Sequence, residues 1–227
     1  MSIDEAPAKR VYRSTLREQQ AEATKRKILE AATEVFVEQG YGATSVGDIA
    51  ARAGVARPTV FGSFETKANL LKVVVDVAMA GDMESKSVAE HDFFKAVEAA
   101  TTPVEMLEAY AGVCTAINGR VAQVYEVARR AADDSAEVAA LWDDLTGQRF
   151  KAARSQAKRL AHLDGLDEDL IKIAADVLWI LNDPARYADL VLRRSWSPER
   201  YYAWLSMEFK RQLLDGPTLR MLLSLST

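Results

Sequence analysis

The sequence predicts an all-α fold: a small N-terminal three-helix head built on a helix-turn-helix, followed by a larger helical C-terminal domain. Three observations point there. Apolar residues recur at the spacing of a helix face nearly throughout the 227 residues. Several prolines stand where a helix would begin, each after a capping side chain: Thr102-Pro103, Asp183-Pro184 and Ser197-Pro198. No stretch combines sustained alternation with hairpin turn residues. The run Val73-Val74-Val75 lies within Leu70, Leu71, Val74, Val77 and Ala78, which is helical spacing.

The first helix is predicted from about Thr24 to Gln39. Ile28, Ala32, Val35 and Phe36 form its core stripe, and Gly40 ends it as a left-handed cap. The second runs from Val46 to Ala53. It opens with Ser45-Val46-Gly47-Asp48, a hydroxyl at the cap and a carboxylate three residues on, which is a capping box. Ile49, Ala50 and Ala53 are its inner face. Gly54-Val55-Ala56 turns the chain into a short third helix, Pro58 to Ser63, and the fourth runs from Lys67 to Ala80. A loose segment over 81–91 carries Gly81 and mixed charges, and a short helix near Asp92–Ala99 follows it. Further helices are expected near 103–117, 120–132, 135–161, 167–181, 184–192 and 197–214, the last closed by Gly216-Pro217. The domain boundary falls between Ala80 and Thr102. A basic arm then covers 1–23, the head with its linking helix 24–80, and the C-terminal domain 81–227.

Composition narrows the function. The net charge of -4, from 29 basic and 33 acidic groups, argues against a protein that coats nucleic acid by bulk positive charge. That acidity is uneven. Residues 1–80 carry eleven basic and ten acidic groups, a net +1, while residues 81–227 sum to -5. Residues 8–29 alone hold Lys9, Arg10, Arg13, Arg17, Lys25, Arg26 and Lys27 against Glu18 and Glu22, a net +5. The single cysteine, Cys114, excludes an internal disulfide framework and a thiolate zinc cluster. His91 and His162 lie far apart with no ligand spacing, so no metal site and no cofactor is expected. The apolar runs are too short and interrupted to span a membrane, and the N-terminus lacks an apolar signal core. A reduced, cytoplasmic protein is the simplest expectation.

The informative segment is 24–71. Two short helices joined by a glycine-containing three-residue turn form a helix-turn-helix. Small residues at Ala50, Ala53 and Gly54 let the helices approach closely, so that the second can project into a groove about 12 Å wide. Four stretches flank or form this unit: Phe36-Val37-Glu38-Gln39-Gly40-Tyr41, Asp48-Ile49-Ala50, Ala53-Gly54-Val55, and Phe64-Glu65-Thr66-Lys67-Ala68-Asn69-Leu70. Together they resemble the N-terminal domain of the tetracycline-repressor (TetR) family. A weaker likeness to the C-terminal part of some actinobacterial members runs from Asp183-Pro184 to Trp204, through Ser195-Trp196-Ser197-Pro198. The resemblance implies a homodimeric repressor. Its third helix would lie in the major groove of double-stranded DNA at a palindromic operator, and a small-molecule effector would bind in the C-terminal domain.

Each candidate contact has a plainer alternative. Arg57 is expected at a base or phosphate; otherwise it is a solvated surface arginine. Pro58 pre-sets the first turn of the third helix and is placed to touch a thymine methyl. Thr59 lies where a hydroxyl reaches a phosphate or caps the helix. Thr44 and Ser45 stand at the N-terminus of the second helix, which suits a phosphate, although Ser45 also serves as a cap. Lys67, at the start of the fourth helix, opposes the helix dipole, so a phosphate explains it better than stability does. The resemblance assigns the matching lysine to the DNA backbone, and Thr66, a hydroxyl directly before the helix, is its expected N-cap. The sequence departs from the family at Phe61, in place of a tyrosine, at Ser63, in place of an aromatic or histidine, and at Ala56, where a capping serine is common. Gly62 costs about 1 kcal/mol inside a helix and would allow close backbone approach to DNA. Lys25 and Arg26 are expected to contact DNA beside the head. Residues 9–17 either reach the duplex or form a solubilising tail.

In the C-terminal domain Met106, Tyr110, Val113, Cys114 and Ile117 form a helical stripe. Candidates for an effector pocket are Met106, Tyr110, Cys114, Asn118, Tyr125, Trp142 and Trp179, with ordinary core as the alternative for each. The basic run Arg149, Lys151, Arg154, Lys158 and Arg159 is expected to be a solvated face, and His162 a surface group ending a helix. Lys172 and Asp176 are read as a structural i, i+4 pair. The helices at 167–181 and 197–214 are apolar on more than one face, through Ile173, Val177, Leu178, Trp179 and Ile180 in one and Tyr201, Trp204, Leu205 and Phe209 in the other, so a dimer contact is expected there. Two other classes stay open. One is a helical adaptor that keeps the head without DNA binding, which the altered Phe61, Gly62 and Ser63 permit. The other is an all-α enzyme, for which one cysteine and two isolated histidines supply no constellation.

Overall fold

The computed structural model describes residues 8–81 and 92–214. Among them every regular element is helical: α1 (Ala8–Ala43), α2 (Val46–Ala53), α3 (Arg57–Phe64), α4 (Lys67–Ala80), α5 (Asp92–Ala99), α6 (Pro103–Ala131), α7 (Ala136–Asp164), α8 (Glu168–Leu181), α9 (Pro184–Tyr187) with a π-helical continuation over Ala188–Arg193, and α10 (Pro198–Leu213). The chain forms two compact units, Met1–Val74 and Val75–Thr227, divided within α4. Residues 82–90, His91 and the Gly216-Pro217 stop lie outside the described residues.

In the N-terminal unit α1 begins at Ala8, not at Thr24. The segment 8–27 contains no proline or glycine and is rich in Arg, Gln, Glu, Ala and Lys, all good helix formers, so nothing stops the helix short of Ala8. Gly40 does break the helix, but with φ 77 and ψ 164, and one more helical turn follows it. The break at a positive-φ Gly40 is where the sequence places the end of the first helix; the further turn beyond it is not expected from the sequence. Ile28, Ala32, Val35 and Phe36 are buried with Ile49, Val60, Phe64, Leu70 and Leu71. Arg52 on α2 meets Glu34 at 2.9 Å and Glu38 at 2.8 Å on α1.

In the C-terminal unit α6 packs against α5, α7, α9 and α10, and α8 packs against α7 and α10. Thr102 opens α6 with a full capping box to Glu105. Asp183 and Ser197 cap α9 and α10 ahead of their prolines, as the sequence suggests. The break expected at Asn118-Gly119 is absent, and α6 runs unbroken to Ala131. Gly119 serves packing instead: a Cβ there would meet the Tyr187 hydroxyl at 3.1 Å. Leu178, Tyr201, Leu205 and Phe209 are consumed by the unit's own core. The apolar groups left outside on these helices are Ile180, Tyr202 and Met207. Lys172 pairs with Asp169 at 2.8 Å, one turn N-terminal, rather than with Asp176.

Candidate nucleic-acid interface and a cavity in the C-terminal unit

α2 and α3 hold the head's outward face. The capping box at Ser45 is complete: its hydroxyl accepts from the Asp48 N–H at 3.1 Å, and its own N–H donates to Asp48 Oδ2 at 2.8 Å. The Ser45 hydroxyl also donates to Asp48 Oδ2 at 2.7 Å, and this bond, followed by that of the Ser45 N–H, holds the Asp48 carboxyl below its usual range. Gly54, left-handed at φ 67, closes α2. The backbone N–H of the next residue, Val55, returns to the Ala50 carbonyl at 3.0 Å. α3 starts from Ala56, which offers no side-chain cap, and Pro58 in the first turn compensates by removing one orphan donor.

α3 is anchored by Val60 and Phe64, both buried; burying each contributes roughly 1.5–3 kcal/mol. Its other positions, Arg57, Pro58, Thr59, Phe61, Gly62 and Ser63, are exposed. Phe61 is 40 % exposed, and the Arg57 guanidinium lies 5.4 Å from its ring centre, across one turn. The Ser63 hydroxyl is spent on the Thr59 carbonyl at 3.0 Å. A Cβ added at Gly62 meets nothing within 4 Å, so packing inside the unit does not require glycine there. At Glu65 the chain turns with φ 60 and ψ -59, an uncommon conformation for a residue with a Cβ, and the Thr66 N–H reaches the Phe64 carbonyl at 2.6 Å.

Two expected contacts are used inside the unit. Thr44 is buried, its hydroxyl donating to the Gly40 carbonyl at 2.7 Å. The kink at Gly40 leaves that carbonyl in need of a donor, so Thr44 is a closing group and not a surface one. The Lys67 ammonium donates to the carbonyls of Tyr41, at 2.8 Å, and Thr44, at 2.9 Å, and lies 4.1 Å above the Tyr41 ring centre. Burial lowers its pKa. Stability therefore does explain Lys67, because its ammonium meets carbonyls of the α1–α2 turn and leaves the α4 dipole behind it. Thr66 caps α4 through the Asn69 N–H at 3.0 Å. On α1, Arg26 is exposed and Lys25 half-buried.

The C-terminal unit contains a partly open cavity of about 570 Å³. Tyr110, Cys114, Asn118 and Tyr125 line it, as the stripe on α6 suggests; Met106, Trp142 and Trp179 do not. Met106 is fully buried in the core. Trp142 stands behind Tyr125, edge-on at 6.0 Å, and Trp179 lies behind Arg149, with the guanidinium 4.7 Å from its ring centre. Asn118 donates to Asn182 Oδ1 at 2.9 Å. Burial pushes the Tyr125 hydroxyl up to about 12 and the Cys114 thiol well above its usual range, so both stay protonated.

The opposite wall is α7, with Leu145, Gln148, Arg149, Ala152, Ser155 and Gln156. Sequence reasoning missed this polar stripe by assigning Arg149 to a solvated face. Its side chain is 12 % exposed, held by the Trp179 carbonyl at 2.5 Å and by Asp183 at 3.4 Å. Arg159 also leaves the solvated face, donating to the carbonyls of Val97, Glu98 and Ala100. Lys151, Arg154, Lys158 and His162 are exposed. The helical period of 149, 152 and 156 was available in the sequence; the destination of the arginine, the end of a helix some thirty residues later, was not. Among the described residues no group of His, Cys, Asp and Glu is arranged to hold a metal ion, and no helix is long and apolar enough to cross a membrane.

Residues 28–74 match the sequence profile of bacterial regulatory proteins, tetR family. The chain is 51 % identical over 49 residues to an HTH-type transcriptional repressor of Mycobacterium tuberculosis, covering 22 % of this chain and 26 % of that protein. It is 34 % identical over 68 residues to the HTH-type transcriptional regulator AcrR of Shigella flexneri, covering 29 % of this chain and 32 % of that one. The matched stretch thus spans about a quarter to a third of the length of these curated relatives. Solved structures extend the likeness in fold alone. MexZ, a repressor from Pseudomonas aeruginosa, superposes with a TM-score of 0.63 at 22 % identity, over 87 % of this chain and 98 % of its own. A TetR-like transcriptional regulator from Rhodococcus sp. RHA1 gives 0.58 at 17 % identity, over 85 % and 97 %.

Proposed function

Because its N-terminal unit belongs to the tetR family of bacterial regulatory proteins, we propose that the chain is a homodimeric transcriptional repressor, released from a palindromic operator by a small molecule bound in the C-terminal cavity. The observation that carries the reading is the exposed face of α3. Six of its eight positions face outward while Val60 and Phe64 hold it to the unit. Arg57 supplies a fork that suits guanine O6 and N7. Pro58 and Phe61 supply apolar surface for thymine methyl groups, and Gly62 lets the backbone approach. Thr59 and the N-terminus of α2 contact phosphates, Ser45 shaping that N-terminus with its hydroxyl engaged by Asp48, and Arg26 and Lys25 follow the backbone from α1. Ser63 contributes its main chain, since its hydroxyl is engaged. Thr44 and Lys67 act by shaping the α1–α2 turn. The cavity supports an effector site through its size and mixed lining. Catalysis is no part of this reading.

Selection of tight binders from a random duplex pool, followed by competition binding, tests it. Selected sites should contain inverted half-sites about one helical turn, roughly 34 Å, apart. Arg57→Ala should weaken binding by about 1–3 kcal/mol and relax the preference at one base pair of each half-site. A variant that keeps both affinity and preference refutes direct readout by Arg57. Absence of any selected sequence, with the protein folded, would favour the adaptor reading.

A further inference from the structure

The two long walls of the cavity differ in character. Along α6, Val113, Ile117 and Val121 stand at one-turn intervals with the rings of Tyr110 and Tyr125 at either end, an apolar floor. Along α7, Gln148, Arg149, Ser155 and Gln156 bring polar groups to the same space. The contacts of Arg149 with the Trp179 and Asn182 carbonyls and with Asp183 use three of its five N–H groups. Its carboxylate partner is at the long end of hydrogen bonding, 3.4 Å, and gives its other oxygen to the Ala185 N–H. The Trp179 ring fixes the guanidinium plane. The buried Tyr125 hydroxyl stays protonated and can donate to an acceptor in the same space. Two turns along α7, the Gln156 side-chain oxygen is buried and accepts no hydrogen bond. Such an acceptor favours a ligand that brings a donor to it. A rise of 1.5 Å per residue separates positions 149 and 156 by roughly 10 Å along the helix. The acids on the lining, Asp76 and Glu98, are exposed, so water screens them as it does not screen Arg149.

Resting on the reading of this cavity as the effector site, we propose that the effector is an aromatic or fused-ring carboxylic acid with a hydroxyl or N–H at its far end. The carboxylate pairs with Arg149, the rings lie against Val113, Ile117 and Val121, and the distal donor meets Gln156.

Calorimetric titration of the full chain tests the proposal with four probes: a hydroxynaphthoic acid with its two groups at opposite ends, its methyl ester, naphthoic acid without the hydroxyl, and the corresponding hydroxynaphthyl methylamine. The hydroxy acid should bind about tenfold or more tightly than the ester or the amine, the difference made by a charge-assisted hydrogen bond. Removing the hydroxyl should weaken binding severalfold, and Gln156→Leu should erase that difference. Arg149→Met should abolish the preference for the acid. Arg149 also holds the end of α8, so Arg149→Lys accompanies it and should keep only part of the preference. Equal binding of acid and ester, tighter binding of the amine, no binding of any acid, or full preference in both Arg149 variants overturns the proposal; the first three are read on the unaltered protein. Release of selected operator DNA by the acid is measured separately. An acid that binds through Arg149 and leaves DNA binding unchanged keeps the ligand class and refutes the effector reading.

Discussion

Lys67 shows how a residue suited to DNA can be claimed by the fold. Its ammonium closes the α1–α2 turn through two carbonyls and the Tyr41 ring. Lys67→Met should therefore destabilise the protein without DNA by about 1.5–3 kcal/mol, the range for hydrogen bonds to a charged group. Denaturant unfolding checks this, and an unchanged midpoint would return Lys67 to a purely DNA-contacting role. Asp48 gives a pH-dependent counterpart. Its folded-state pKa is depressed by the Ser45 hydroxyl and N–H. Its contribution is thus complete above the unfolded carboxyl value of about 3.9 and is lost as pH falls through the lower folded one. Asp48→Asn should reduce stability at neutral pH, and the gap from the unaltered protein should close as pH drops below about 4. A gap that is the same in acid would show that the charge is not what the cap uses. Ser45 and Asp48 were legible because a capping box is local, four adjacent residues. Lys67 was not, because its partners lie 26 and 23 residues upstream.

At the scale of elements, arginines from outside a helix supply donors to its last carbonyls. Arg120 donates to the Ala78 and Met79 carbonyls at the end of α4, Arg159 to those at the end of α5, and Arg149 and Arg186 to carbonyls closing α8. The last carbonyls of a helix lack intrahelical donors, and a cation there also meets the negative end of the dipole. Arg159→Ala should cost about 1–3 kcal/mol in thermal or denaturant unfolding. Lysine at that position should restore only part, because one ammonium cannot fan across three carbonyls as a planar fork does. The starts of α6, α9 and α10 could be read from the sequence, since Thr102, Asp183 and Ser197 sit directly before prolines. The arginines at the ends of α4, α5 and α8 could not, since each donor comes from another helix. The same asymmetry explains the error at Asn118-Gly119, which looks like a stop until Tyr187 is placed over it.

Across the whole molecule, the chain divides its charge by unit. The acidic surplus belongs to residues 81–227, while 8–29 carry a net +5 on a stretch that is helical throughout. A site-specific binder needs only a few well-placed cations, so a net -4 is compatible with the proposed role. Assembly is the other property at this scale. Ile180 on α8 and Met207 on α10 are 47 % and 53 % exposed, with Tyr202 also outside, beside a core that has taken Leu178, Tyr201, Leu205 and Phe209. If the proposed dimer uses this face, Ile180→Glu with Met207→Glu should yield a monomer in sedimentation, with helical content unchanged and affinity for a palindromic site lost. A double variant that remains dimeric would move the contact elsewhere.

The position of Cys114 has a practical consequence. It is the chain's single cysteine, it lies on the cavity wall, and its thiol is buried and held protonated beside Tyr110. Thiol-selective alkylation therefore has one possible address, and its rate is set by how often a reagent can enter that space as a thiolate forms. The unmodified protein consequently carries a built-in occupancy gauge, in which a molecule filling the cavity slows the labelling of a residue that no engineering had to introduce.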